Sequence, residues 1–408
     1  MRTRTGRGTT ARAKEAAAPR VTIVTPSLNQ GAYIEETIRS VVAQDYPNLE
    51  YWIIDGGSAD GSLDIIRRWA ARCGFIRWLS EKDRGQSDAI NKGFRRASGE
   101  IVAWLNSDDT YTPGAVRRAA GFLSGRPDCM LAYSDAEIVD ERGTSLGLFP
   151  HTQRIFNYRR LVAVSDYIAQ PSTFIRLKVL DEVGGLDESL HWCMDWDLWI
   201  RIAAKHPVLY FPSLSARLRD YAQTKTRMGG WRRWAEIVAV ARRHSGRRFP
   251  PAYFIYGLES AATGLNLDGS VRARLKRMFL FKVINHCINR HLDVYADGWV
   301  RREIEFSFYG APARFILKGV WPAENIPVRL GIALNGHSLR TYRFPTGGAF
   351  LLTVDLPSRL GVAGRNALLV RSSRLFAPGP QDRRRLSFRL LDYGFEGAAA
   401  AAPGEALP

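Results

Sequence analysis

Residues 100–109 read EIVAWLNSDD. The apolar run Ile101–Leu105 passes through Asn106 and Ser107 into two adjacent acids, Asp108 and Asp109. A short apolar run bounded by turn-formers spells a buried strand, so both carboxylates are expected at its carboxyl end. Adjacent carboxylates at such a place repel each other, and a cation beside them relieves the repulsion. Hard oxygen ligands suit Mg2+ or Mn2+, which commonly bridge substrate phosphates. The competing reading is a simple turn with solvated carboxylates. The flanking segments argue against it.

Towards the N-terminus, strand and helix patterns alternate. VTIVTP (21–26) is a β-branched run ended by Pro26, and Ile34, Ile38, Val41 and Val42 then recur at helical spacing. LEYWIID (49–55) reads as a strand broken by Gly56-Gly57, SLDIIRRWAARC (62–73) as a helix, FIRWLSE (75–81) as a strand and SDAINKGFRRA (87–97) as a helix. This alternation predicts parallel βαβ units and an α/β, Rossmann-like, mostly parallel sheet. Such open sheets bind ligands at the carboxyl ends of their strands. Four polar clusters fall there: Thr25-Pro26-Ser27, Asp55-Gly56-Gly57-Ser58, Glu81-Lys82-Asp83-Arg84 and Asn106–Asp109. The Gly-rich turn after Asp55 is neither GxGxxG nor GxxxxGK[ST], which disfavours a dinucleotide fold and a P-loop.

Towards the C-terminus, CMLAYSDAEIVD (129–140) reads as a strand, STFIRLKVLDEVGGLDESL (172–190) as strand then helix, and MDWDLWIRIAAKH (194–206) as an amphipathic helix. Trp231 to Asn289 is helical in pattern, basic and aromatic. Beyond Leu292, short period-2 runs punctuated by Gly, Pro and Asn predict a β-sandwich. We therefore expect a disordered basic tail (1–20), an α/β catalytic domain (21–230), a helical extension (231–291), a β-sandwich (292–395) and a second disordered tail (396–408). The sandwich aromatics Trp299, Phe306, Phe308, Tyr309 and Trp321 are expected to fill its core.

The 408 residues carry 58 Lys plus Arg against 40 Asp plus Glu, a net charge of +18, with 46% apolar and 24% charged residues. This globular composition excludes a disordered chain, a collagen-like repeat and an integral membrane protein. No apolar run is long enough to span a bilayer, and no secretory signal is expected from the polar N-terminus. Cys73, Cys129, Cys193 and Cys287 lack metal-type spacing, so free thiols in a reducing, cytoplasmic setting are expected. The charge suits an anionic membrane surface. No nucleic-acid recognition motif accompanies it, so nucleic acid is not an expected partner.

The run from Val21 to about Lys225 resembles a family 2 glycosyltransferase of the GT-A fold. The resemblance is carried by VTIVTPSLNQGAYIEETIRSVVAQDYPNLEYWIIDGGSADGS (21–62), SEKDRGQSDAINKGFRRASGEIVAWLNSDD (80–109) and VGGLDESLHWCMDWDLWIRIA (183–203). It implies that Thr25, Pro26 and Ser27 hold a nucleotide, that Asp55 contacts its base, and that Asp83, Arg84 and Asp88 hold nucleotide and donor sugar. Asn106–Asp109 matches the metal-binding DxD-type motif, with Asn106 where an Asp often stands. Asp108 and Asp109 are left as metal and ribose ligands, in either assignment. Asp195 matches the catalytic base, although Met194 replaces the Glu that usually precedes it. Asp197, two residues on, is read as a first-turn acid facing the helix dipole. Gln170 and Trp192 match the acceptor pocket.

The reaction so implied is inverting transfer from a nucleotide-diphosphate sugar, a UDP-sugar foremost, with Mn2+ or Mg2+. The acceptor would be a glycan or lipid-linked glycan in bacterial surface polysaccharide synthesis, met at the cytoplasmic membrane face. The alternative is a catalytically degenerate nucleotide- or glycan-binding module. A nucleotidyltransferase would instead open with a Gly-rich loop and a Lys after the first strand.

Overall fold

The computed structural model describes residues 18–150, 152–264, 299–321, 327–362, 364–376 and 385–396. Most of both expected tails, the second half of the helical extension and Cys287 lie outside the described residues.

The first half builds as the sequence pattern predicts. β1 (Val21–Ser27), α1 (Ile34–Val42), β2 (Leu49–Asp55), α2 (Ser62–Arg72), β3 (Ile76–Ser80), α3 (Gln86–Phe94) and β4 (Ile101–Trp104) alternate along the chain. Their strands lie in the order β3-β2-β1-β4, all parallel. Pro26 sits within β1 without breaking the sheet, because β4 pairs only with Val21–Val24 and makes no demand on its missing N–H. At Gly93 an added Cβ would stand 2.3 Å from Val24 Cγ1, so the glycine lets α3 lie directly on β1.

The second half is mixed. β5 (Thr110–Tyr111), α4 (Ala115–Ser124), β6 (Leu131–Val139), β7 (Ser145–Leu148), α5 (Tyr158–Ala163), β8 (Thr173–Arg176), α6 (Lys178–Val183), α7 (Met194–Lys205) and β9 (Val208–Arg219) follow. They extend the sheet to nine strands, β3-β2-β1-β4-β8-β6-β9-β5 with β7 on β6. One face buries Ile34, Ile38, Ile66, Val116 and Ala119 of α1, α2 and α4. The other buries Ile90, Leu161, Trp196, Trp199 and Ile237 beneath α3, α5, α7 and a later helix. β9, twelve residues containing Pro212, Ser213 and Ser215, was not expected from the sequence. Its pairing with β6 shifts register around Asp135, so it lacks the alternation that marks a regular strand.

α8 (Lys225–Met228), α9 (Gly230–Ser245) and α10 (Pro251–Gly264) come next. The C-terminal strands are β10 (Glu303–Tyr309), β11 (Arg314–Trp321), β12 (Val328–Leu334), β13 (His337–Phe344), β14 (Gly348–Asp355), β15 (Arg365–Ser372) and β16 (Arg389–Glu396). They form two antiparallel sheets, β10-β15-β12-β13 and β14-β11-β16, around one core. Phe306, Phe308 and Trp321 are buried in that core. The sheets also grip the α/β part. Tyr309 Oη donates to the Ala203 carbonyl of α7 at 2.5 Å, and buried Glu305 pairs with Arg159 of α5 at 2.5 Å and Arg365 at 3.1 Å.

Candidate active site

The strand ends form a continuous rim. Thr25 lies beneath it, fully buried, with its hydroxyl 3.0 Å from Tyr51 Oη. Pro26 and Ser27 are also buried. Asp55 has no exposed surface, and its carboxylate accepts from the Gly57 and Ser58 N–H groups and from the Ser58 and Ser80 hydroxyls at 2.5–3.1 Å. That many donors on one carboxylate organise the turn. At Gly56 an added Cβ would come within 2.4 Å of Asp83 Oδ2, so a side chain there would displace that carboxylate. Asp83 in turn accepts the Gly85 N–H at 3.0 Å. Arg84 extends from this loop towards Glu188 (2.5 Å) and Asp88 (3.3 Å). Asp88 also accepts the Arg84 N–H and pairs with Lys92; despite its burial, these partners hold its carboxyl below the usual range.

The acid pair at the end of β4 is asymmetric. Asp109 faces inward: Oδ1 accepts the Arg219 N–H at 3.0 Å and Oδ2 accepts from Asn106 Nδ2 at 3.2 Å. Asp108 is half-buried, with Oδ2 accepting from Tyr221 Oη at 3.1 Å. Burial pushes both carboxyls up, Asp109 furthest because Asp108 also repels its charge. Arg219 at the end of β9 fixes this turn: its Nε donates to the Asp108 carbonyl at 3.0 Å and Nη2 pairs with Glu36 at 2.6 Å.

These two adjacent carboxylates supply the hard oxygen donors that suit a divalent cation, with Arg219 already placing one positive charge beside them. Among the described residues no group of three or more His, Cys, Asp or Glu forms an all-protein cage. A cation here would draw its remaining ligands from phosphates and water, as Mg2+ and Mn2+ commonly do.

Asp195 stands in the first turn of α7, half-buried, accepting the Trp196 N–H at 2.8 Å. Burial raises its carboxyl. Asp166, which follows α5, is near enough for Asp195 to push its carboxyl, already raised by burial, well above the ordinary value. Lys225 completes the group; burial lowers its amine to about 8, against the pull of Asp195 and Glu236. Asp197 faces elsewhere. It is buried and bonded to Arg201 at 2.6 Å and His244 at 2.7 Å, and these partners hold its carboxyl down against the effect of burial.

The loop entering α7 is held by a residue absent from the sequence reading. Glu236 of α9 accepts the His191 N–H on Oε2 at 2.8 Å, and the Trp192 and Cys193 N–H groups on Oε1, both at 2.6 Å. Helix starts leave such N–H groups unsatisfied, and a carboxylate there also meets the positive end of the dipole. Trp192 is further fixed by Nε1 donating to the Lys225 carbonyl at 3.2 Å.

Lys225 and the turn after β4 join through one hydrogen-bonded chain. Lys225 Nζ donates to Gln86 Oε1 (2.9 Å), Gln86 Nε2 to Asn106 Oδ1 (2.8 Å), and Asn106 Nδ2 to Asp109 and to Gln170 Oε1 (3.1 Å). Gln170 is buried and closes the chain onto the Trp104 carbonyl at 2.8 Å. Gln86, Asp166, Arg219, Tyr221, Lys225 and Glu236 were all missed from sequence. Their importance arises only where distant segments meet.

Residues 22–184 match the family model Glycosyl transferase family 2. An uncharacterized glycosyltransferase of Rickettsia felis is 27% identical over 213 residues, covering 50% of this chain and 35% of that protein. The chain thus spans about a third of that relative's length. TuaG of Bacillus subtilis, named for teichuronic acid biosynthesis, is 33% identical over 141 residues, 34% of this chain and 56% of TuaG. Among solved structures, residues 1–349 of S. aureus TarS in complex with UDP-GlcNAc superpose with a TM-score of 0.46 at 16% identity, covering 66% of this chain and 81% of that one.

Proposed function

We propose, from the match of residues 22–184 to the Glycosyl transferase family 2 model, that this chain is an inverting glycosyltransferase. It would move a sugar from a nucleotide-diphosphate donor, a UDP-sugar foremost, to a glycan or lipid-linked glycan hydroxyl. The observation that carries this reading is the hydrogen-bonded chain from the Asp108–Asp109 turn through Asn106 and Gln86 to Lys225, beside Asp195. It runs from the acid pair to an amine that lies in the field of Asp195.

In this reading Asp195 accepts the proton of the acceptor hydroxyl as that oxygen attacks the anomeric carbon. The bond from that carbon to the diphosphate breaks on the opposite face, which inverts the centre. Asp108, half-buried on the rim, would hold a divalent cation with Asp109 behind it. Bound there, Mn2+ or Mg2+ supplies positive charge against the departing diphosphate. Lys225, protonated, adds a second positive charge between donor and base. The pocket segment at Gln170 and Trp192 would receive the acceptor. The likeness to TuaG supports a bacterial surface polysaccharide as the acceptor class.

The test is nucleoside-diphosphate release from UDP-, GDP- and dTDP-sugars with Mn2+, Mg2+ or EDTA, beside calorimetric nucleotide binding. Metal-dependent release from one donor is expected. Absence of both release and nucleotide binding with every donor would overturn the proposal.

A further inference from the structure

The α9–α10 hairpin carries an aromatic cluster that the active site does not use. Trp231 and Trp234 lie with ring centroids 5.6 Å apart, Trp234 and Tyr253 at 5.1 Å, and Tyr253 meets Phe249 at 5.5 Å and Phe254 at 5.1 Å. The inner pair stitches the hairpin, with Trp234 Nε1 donating to the Tyr253 carbonyl at 2.9 Å. The outer rings face solvent: Trp231, Phe249 and Phe254 are 55%, 53% and 59% exposed, and Met228 just before α9 is 69% exposed. Contiguous exposed aromatics of this kind mark an interaction surface.

Its rim is cationic. Arg242 lies over both Phe249 and Tyr253, and Arg248 over Phe249. Among the described side chains, Asp220 pairs with Arg227, Asp187 with Arg243, and Glu236 accepts the N–H groups before α7. Arg232, Arg247 and Arg248 are exposed and pair with no carboxylate among the described residues. A second copy of the chain would bring like charges together across a two-fold axis. An anionic lipid surface satisfies both features, because aromatic rings settle at the headgroup level and guanidinium groups pair with phosphates. No described helix is long and apolar enough to cross a membrane, so contact through this face would be in the interface plane.

We propose that the outer face of the α9–α10 hairpin docks on an anionic lipid surface, with Trp231, Phe249 and Phe254 entering the headgroup layer and Arg232, Arg247 and Arg248 on its phosphates. This rests on the hairpin alone and not on the glycosyltransferase reading. Its consequence for the site is positional. Glu236 on the same helix holds the loop before Asp195, so docking would fix in place the helix that positions that loop.

The experiment is flotation of the full chain with vesicles of phosphatidylcholine alone or mixed with phosphatidylglycerol. The wild type is expected to float only with the anionic vesicles, and less as salt rises. The Trp231→Ser/Phe254→Ser variant is expected to bind about 10-fold more weakly with an unchanged melting temperature, since both side chains are exposed. Arg232→Glu/Arg248→Glu is expected to lose the salt-sensitive part. Absence of wild-type flotation overturns the proposal. Undiminished binding by the aromatic variant also overturns it, by assigning the attachment to the basic N-terminus. A wild-type dimer that the aromatic variant turns to monomer, without vesicle binding, reassigns the face to a second copy. Nucleotide binding by the same variants, measured without lipid, keeps a failure here distinct from a failure of the enzymatic proposal.

Discussion

Glu236 Oε1 accepts the Cys193 N–H at 2.6 Å, two residues before Asp195. A carboxylate from one helix thus sets the entry of another. We expect Glu236→Gln, which keeps one good acceptor, to lower kcat about 10-fold and Glu236→Ala about 100-fold, with donor KM nearly unchanged. An equal loss in donor binding would mean that Glu236 only stabilises the fold.

Asp195→Asn should lower transfer by at least about a thousand-fold while leaving nucleotide binding intact. The check is a pairing of turnover with calorimetry. Ordinary turnover by this variant would remove Asp195 from the role of base.

The rate should depend on pH on both sides. As the proposed base, Asp195 would act deprotonated, and its raised carboxyl would set the acid limb above the ordinary carboxylate range. Asp166, pushed well above the ordinary range by burial and by Asp195, stays protonated while Asp195 titrates, so the neutral Asp166→Asn should leave the acid limb in place. Lys225, at about 8, loses its charge as pH rises through that value, so activity should fall there. Lys225→Arg should keep the charge and abolish the alkaline limb.

Asp108 and Asp109 should separate in titration. Asp108→Asn is expected to weaken metal-dependent donor binding about 10-fold or more. Asp109→Asn should disturb the turn itself, because both Asp109 oxygens already hold protein donors, and should therefore also lower the melting temperature. Identical metal titrations for wild type and Asp108→Asn would count against a cation there.

Asp197→Asn should destabilise the fold by about 3 kcal/mol, since it breaks a buried charge cluster. The Asp197 carboxyl is held below its usual value, so its contribution is present above the unfolded value and lost as pH falls through the folded one. Thermal melts of wild type and variant should therefore converge on acidification.

Much of this molecule was legible in its sequence, for identifiable reasons. β1 to β4 and their helices are short, buried and punctuated by Pro and Gly, so pattern alone located them. The C-terminal strands alternate strictly enough to be read one by one; β12 runs buried, exposed, buried from Val328 to Leu330. β9 escaped because Pro212 and its serines interrupt any period. The strand-end clusters were likewise legible, but their inner arrangement was not. Nothing in the order of residues says that the Asp55 carboxylate is consumed by its own turn, or that Lys225 reaches Gln86. The first depends on Ser80 at the end of β3 meeting the turn after β2, and the second on where α8 falls beside the start of α3.

The tie between Tyr309 and Ala203 limits how freely the two halves of this chain could be exchanged with those of other proteins. The helix whose first turn presents Asp195 is, near its far end, the helix held by the C-terminal sheets. A transplanted sandwich would need its own partner for the Ala203 carbonyl and an acid to replace Glu305 beside Arg159. Grafted lobes lacking both would meet at a seam carrying an unanswered carbonyl and a stray guanidinium, so recombination should succeed only between chains that share this joint.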